Sequence, residues 1–246
     1  MPDNTQKSAI VTGASRGIGA AIALRLSNDG YAVVVNYAGR KENADAVVDQ
    51  IKQAGGTSIA VQADVSDPAQ VKSLFDATAE HFGAPHVLVN NAGVMTLAPL
   101  VDTTDADFDA MVAINLKGVF NCLREAGQQM PDGSRIVNIS TTALAVNFPG
   151  YAGYCAAKAG VEAMTPIFAK ELGGRNITVN AVAPGPVGTE LYLTGKTQEQ
   201  LDFVAGLNPM GRIGEPNDIA NAVSAMVSDD AKWTNGQTIR VNGGMA

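Results

Sequence analysis

The chain has 246 residues, of which 46% are apolar and 17% charged. This composition can bury a large core and excludes a disordered or fibrous protein. The formal net charge of −7 argues against a general nucleic-acid surface or an anionic-membrane surface.

Strand and helix signals alternate along almost the whole chain. Ser8–Thr12 reads as a short apolar strand, and Gly17–Asn28 as a helix with Ile18, Ile22 and Leu26 on one face. Ala32–Asn36 is a β-branched strand, Glu42–Gln53 a helix stopped by Gly55 and Gly56, and Ser58–Gln62 a third strand. Asp67 and Pro68 open a helix running to about Phe82, with proline at a first-turn position it tolerates. His86–Asn90 is the fourth strand, Asp105–Gln129 one long helix, and Arg135–Ser140 the fifth strand. A helix from about Tyr151 to Leu172 follows, then a strand over Ile177–Val182. Pro184 to Pro216 is rich in Gly and Pro, with a short helix at Thr197–Ala205, and is expected to form a substrate lid over about 187–215. Pro216–Ser228 is helical, and Thr238–Val241 is the last strand.

The strands AVVVN and HVLVN are nearly continuously apolar, so both faces should be buried. About seven strands alternating with long helices predict an α/β fold: a Rossmann-type, doubly wound parallel sheet with helices on both faces, in a single domain over 1–246. A closed eight-stranded barrel is the competing architecture. The opening MPDNTQKSAIVTG lacks the charged and apolar regions of a signal peptide, and no apolar run reaches membrane-spanning length. A cytoplasmic protein without membrane contact is expected. Cys122 and Cys155 suggest neither a disulfide framework nor a metal site.

The first turn decides between the two architectures. Gly13, Gly17 and Gly19 sit between a strand and a helix. Gly13 can make the tight turn, Gly17 lets a pyrophosphate approach the helix N-terminus, and Gly19 lets helix and strand pack closely. The stretch from Gly13 to Gly17 also matches the G-x-S-x-G nucleophile elbow of hydrolases. That reading needs a histidine beside Ser15. The two available, His81 and His86, lie on or beside the helix before the fourth strand, and His86 is expected at that strand's N-terminal end, away from Ser15.

The end of the second strand selects the dinucleotide. A carboxylate there would hydrogen-bond the ribose hydroxyls and repel a 2′-phosphate. Here the residues are Asn36, Tyr37, Ala38, Gly39 and Arg40, with no Asp or Glu. Arg16 and Arg40 can neutralise a 2′-phosphate, so NADP(H) is the expected cofactor. Contacts are expected from Gly13, Ser15, Arg16, Gly17, Ile18 and Gly19, from Asn36, Tyr37 and Arg40, and from Asp64 and Val65. Asp64 suits the adenine amino group, and Asn91, Ala92 and Gly93 let the backbone pass close to a ribose.

The chemistry is expected around Tyr154 and Lys158. Four residues apart on a helix, they share one face with Cβ atoms about 5–6 Å apart. An ammonium beside a phenol favours the phenolate and lowers its pKa. Thr141 lies thirteen residues before Tyr154, with Ser140 just before it. Hydroxyl, phenol and ammonium can converge on one carbonyl oxygen. Strand alternation favours Thr141 as the hydroxyl donor, and a bulge would substitute Ser140.

These motifs in this order resemble the short-chain dehydrogenase/reductase family over essentially the whole chain. They are the turn from Thr12 to Gly19, Asp64, NNAG at 90–93, Asn115, Tyr154-x-x-x-Lys158, Pro184-Gly185, and the ending NGQT…VNGG. The resemblance implies that Tyr154 is general acid in reduction and base in oxidation. It implies that Lys158 lowers the tyrosine pKa and binds the nicotinamide ribose, and that Asn115 holds a relay water. Pro184, Gly185 and Val187 would line the nicotinamide, with Thr189 near its carboxamide, and Tyr154 and Lys158 would also touch the cofactor. The family usually has serine where this chain has Thr141, whose extra methyl stiffens χ1 and crowds the site. Pro166 inside the Tyr154 helix should remove a backbone hydrogen bond. It leaves the geometry of a subunit interface, in an expected homotetramer, open.

Within the family the chain looks much like 3-oxoacyl-acyl-carrier-protein reductases. Asp132 stands where such enzymes often carry basic residues, although Lys170 and Arg175 remain available. The expected activity is therefore NADP-dependent reduction of a small or medium ketone or aldehyde, or oxidation of the matching alcohol. Val94, Met95, Val146, Phe148, Tyr151, Leu191 and Tyr192 are candidates to shape its pocket. The alternatives are the acyl-carrier-protein reductase and a non-catalytic NADP-binding sensor.

Overall fold

Seven strands form one parallel sheet in the order β3-β2-β1-β4-β5-β6-β7. They are β1 (Ser8–Val11), β2 (Ala32–Tyr37), β3 (Ser58–Gln62), β4 (Val87–Asn90), β5 (Arg135–Ile139), β6 (Thr178–Pro184) and β7 (Thr238–Val241). The computed structural model describes residues 6–246. The first five residues, part of the opening expected to lack a signal peptide, lie outside the described residues. Because β3 and β7 each have a single neighbour, the sheet is open, which removes the barrel alternative.

The helices are α1 (Gly17–Asn28), α2 (Lys41–Gln53), α3 (Pro68–Phe82), α4 (Asp105–Met111), α5 (Gly118–Gln129), α6 (Ala143–Val146), α7 (Ala152–Leu172), α8 (Glu190–Leu193), α9 (Gln198–Gly206) and α10 (Pro216–Val227). Side-chain alternation along the strands divides the core in two. Ile10, Val34, Leu88, Ile136 and Val179 stand in one row and pack with α3, α5 and α7. Val11, Val35, Val89, Val137 and Val182 face the other way, toward α1, α2 and α10. Each of these aliphatic side chains, fully buried, contributes about 1.5–3 kcal/mol relative to exposure. Both faces need apolar residues, so the strands read as continuous apolar runs rather than alternating ones.

The chain runs from β1 outward to β3, then returns to place β4 on the other side of β1. Loops at the carboxyl ends of β1 and β4 therefore lead in opposite directions, and the crevice between them is where such sheets bind ligands.

Four segments depart from the expected elements. Asp105–Gln129 is not one α-helix: α4 passes into a wider π-helical turn over Val112–Lys117, and α5 follows. Asn115 sits inside that turn. Strand β6 runs on through Pro184, and the short helices α6 and α8 were not anticipated. Helix α7 runs unbroken through Pro166. Proline cannot donate the bond it would owe, and just before it the Thr165 hydroxyl donates back to the Val161 carbonyl at 2.8 Å. After β6, the chain closes a neck where Gly188 N donates to Gly214 O and Gly214 N to Pro186 O, both at 2.9 Å. Helices α8 and α9 project beyond this neck. Among the described residues, no helix is long and apolar enough to cross a membrane.

Candidate active site

Two loops at the crevice are stitched together by one hydroxyl. The Thr12 Oγ1 atom accepts from Asn91 N at 2.9 Å and Ala92 N at 3.0 Å, and donates to Val89 O at 3.3 Å. Asn91 Nδ2 returns a bond to Thr12 O at 2.9 Å and contacts Gly13 O at 3.1 Å. This packing explains the glycines. Gly13 adopts φ +61°, and a Cβ there would lie 2.8 Å from Ala92 Cα. A Cβ at Gly19 would run into the Gly13 carbonyl and the Asn91 amide. Gly17, at φ +56°, opens α1.

The turn faces a cavity of about 690 Å³ that extends to the proposed catalytic groups. Its wall includes every residue expected to bind the cofactor except Tyr37. Tyr37 is a correction: only 6% exposed, it packs into the core beside Ala44 and Val47. Asn36, its neighbour on the strand, is on the wall but structurally committed. Its Oδ1 accepts from Gly13 N at 3.2 Å, and its Nδ2 donates to Ala63 O at 3.0 Å. Asp64 also lines the cavity, and its Oδ1 accepts from both Ser66 N and Ser66 Oγ. Arg16 and Arg40 lie at this end, where both approach Glu190.

At the other end, Thr141, Tyr154 and Lys158 share the wall. Helix α7 delivers Tyr154 and Lys158 one turn apart, and the end of β5 delivers Thr141. Ser140 is spent elsewhere, donating to Glu162 Oε1 at 2.7 Å. Thr141 is thus the hydroxyl beside Tyr154.

The Lys158 ammonium is 3% exposed and donates to Ile139 O at 2.6 Å. Burial pulls its pKa down to about 8. Tyr154 corrects the expectation of a lowered phenol. It is partly open to the cavity, yet the protein packed around it pushes it up to about 12. The nearby Thr141 hydroxyl acts in the opposite direction, too weakly to offset the loss of water. The ammonium, aimed at the Ile139 carbonyl, stands 6.0 Å from the phenol ring centroid.

Asn115 is fully buried and off the cavity wall. Its Oδ1 accepts from Val94 N and its Nδ2 donates to Val94 O, each at 2.8 Å. Both ends of the amide are therefore occupied, and any contribution to a proton path would come from its backbone.

The pocket residues Val94, Met95, Val146, Phe148, Tyr151, Leu191 and Tyr192 all line the cavity near this end of the chain's own chemistry. Sequence reasoning missed Lys196, Phe203, Val204 and Met245, which also line it. Lys196 Nζ donates to Tyr192 O at 2.7 Å and lies 4.2 Å from the Tyr192 ring centroid. Its four-residue spacing from Tyr192 was the available signal. The hydrolase alternative fails on geometry: His86 precedes β4 and pairs through its backbone with Ser8, at the opposite end of the sheet from Ser15. Among the described residues, no group of His, Cys, Asp and Glu is placed to hold a metal.

The family model described as Enoyl-(Acyl carrier protein) reductase matches residues 13–246. The chain is 47% identical over 243 residues to 3-oxoacyl-acyl-carrier-protein reductase FabG of Staphylococcus aureus, covering 97% of this chain and 98% of that one. It is 43% identical over 250 residues to an NADPH-dependent aldehyde reductase-like protein, chloroplastic, of Arabidopsis thaliana, covering 96% and 93%. A short-chain dehydrogenase from Burkholderia cenocepacia, solved in complex with NADP, superposes with a TM-score of 0.92 at 36% identity, covering 99% of both chains. Fold, crevice and likeness along the whole chain agree: the protein belongs to the short-chain dehydrogenase/reductase family of oxidoreductases.

Proposed function

We propose that this protein is an NADP(H)-dependent carbonyl reductase. The observation that carries the reading is one continuous cavity. It has a glycine turn with two arginines at one end and Thr141, Tyr154 and Lys158 at the other. The glycine cradle fits a dinucleotide, since Gly13, Gly17 and Gly19 leave the cavity wall at the start of α1 without side chains. The cations Arg16 and Arg40 suit a 2′-phosphate, and the Burkholderia relative was solved with NADP. The bound cofactor would supply the hydride.

In this reading Thr141 and the Tyr154 phenol hold the substrate oxygen. Tyr154 donates its proton to that oxygen during reduction and accepts one during oxidation. A phenol is protonated at neutral pH, as the reductive direction requires, and burial favours that form. Lys158, fixed by Ile139 O, would orient the nicotinamide ribose and pass protons to the phenol. The backbone at Asn115 would continue that path toward water. Pro184, Gly185, Val187 and Thr189 would flank the nicotinamide. The segment over about 187–215 would act as the substrate lid of a single domain, and the assembly would be a homotetramer.

The 47% identity to FabG favours a second reading, reduction of a 3-oxoacyl thioester on acyl carrier protein. An acidic carrier needs free cations at the mouth. Against it, Arg175 is tied to Asp132 at 2.8 Å and to the Gly127 and Met130 carbonyls, ahead of β5 and β6 at the end of the sheet away from the cavity. The test is NADPH consumption with free ketones, aldehydes and carrier-linked 3-oxoacyl thioesters, with NADH in parallel. Turnover of free carbonyl compounds with NADPH supports the first reading. Turnover of carrier-linked substrate alone supports the second. NADPH binding without any turnover would leave only the sensor alternative.

A further inference from the structure

The two cations that suit a 2′-phosphate already share an anion. Arg16 Nη1 lies 2.7 Å from Glu190 Oε2, and Arg40 Nη1 lies 4.0 Å from Glu190 Oε1. Glu190 is the first residue of α8, just beyond the neck at Gly188 and Gly214. The preceding residue, Thr189, rests on the glycine turn itself: a Cβ at Gly17 would come within 3.3 Å of Thr189 Cγ2. The start of the segment is thus fastened to the cofactor turn twice, once by contact and once by charge.

A 2′-phosphate and the Glu190 carboxylate would compete for the same guanidinium groups and repel each other. The 2′-hydroxyl of an unphosphorylated dinucleotide brings no charge to that place. Local sequence conceals this competition, because 174 residues separate Arg16 from Glu190.

We propose that Glu190 sets cofactor specificity, standing in for the 2′-phosphate on Arg16 and Arg40 and so weakening NADP(H) relative to NAD(H). The inference rests on the reading of this cavity as an NADP(H) site. When the phosphorylated cofactor binds, Glu190 gives up both arginines and α8 loses its charged tether to the turn. NAD(H) leaves that tether in place.

The test is fluorescence titration of NADPH and NADH at low ionic strength, with wild-type protein, Glu190→Gln and the double variant Arg16→Ala/Arg40→Ala. Because all three side chains are largely exposed, Glu190→Gln should tighten NADPH by about two- to fivefold and leave NADH unchanged. Salt of about 0.5 M should erase most of the gain, since it screens exposed charges. The double variant should lose NADPH affinity and retain NADH affinity. Unchanged or weaker NADPH binding in Glu190→Gln, with normal wild-type binding, overturns the role of Glu190 alone. Failure of the wild type to bind NADPH, or an unaltered double variant, overturns the cofactor reading and this inference with it.

Discussion

Lys158 carries a cost that the fold accepts. Burial pulls it from 10.5 to about 8, so at neutral pH the native state holds a charge it would rather lose. The sign follows from linkage. Below about 8 the lysine is protonated in both states and the cost is full. Between about 8 and 10.5 only the unfolded chain keeps the proton, so native stability rises with pH. Lys158→Met should therefore stabilise the protein at pH 7 by about 2 kcal/mol, the desolvation relief minus the lost bond to Ile139 O. Thermal melts of both proteins check this, and the gap should narrow as pH rises through this window. At the same scale, Thr141→Ala should lower kcat by about tenfold or more with NADPH affinity unchanged, since it removes a hydroxyl aimed at the substrate oxygen. Steady-state kinetics beside NADPH titration separates the two effects. The spacing of Tyr154 and Lys158 was legible in the sequence, but their protonation was not. Pairing them by charge left out burial, which raises one group and lowers the other.

Among the elements, the strands and the helices α1, α2, α3 and α10 were legible because apolar patterning leaves a local record, joined at α3 and α10 by capping residues. Asp67, for example, accepts from Ala69 N at 2.8 Å at the start of α3. The π-helical turn around Asn115 left no such record, since its side chains continue the same amphipathic pattern as the helices flanking it. Tyr37 was assigned to the cofactor with Asn36, yet neighbours on a strand point to opposite faces. The loops after β1 and β4 act as one unit through Thr12. Thr12→Val would leave the Ala92 amide without its acceptor and Asn91 N with only Val89 O at 3.1 Å, a loss of about 1 kcal/mol for part-buried donors. Denaturant unfolding should show that loss, and NADPH affinity should fall because Gly13 and Ala92 no longer hold their approach.

At the scale of the whole molecule, the doubly wound order places the cavity over the reversal between β1 and β4, and the alternation of elements predicted that sheet. Contacts made across long stretches of chain were beyond it: Arg16 with Glu190, and Ser140 with Glu162. Phe120, Ile167 and Trp233 are exposed on α5, α7 and the approach to β7, and the proposed homotetramer would cover apolar side chains of this kind. Light scattering should give a mass near four times that of the 25.4 kDa chain. The central claim is that one cavity binds NADPH and transfers its hydride while Tyr154 supplies the proton. Its most direct test is Tyr154→Phe, assayed for NADPH binding and for carbonyl reduction in the same preparation. Wild-type binding with reduction lowered by a factor of about a thousand or more is the expected result. Reduction at the wild-type rate in that variant would contradict the account.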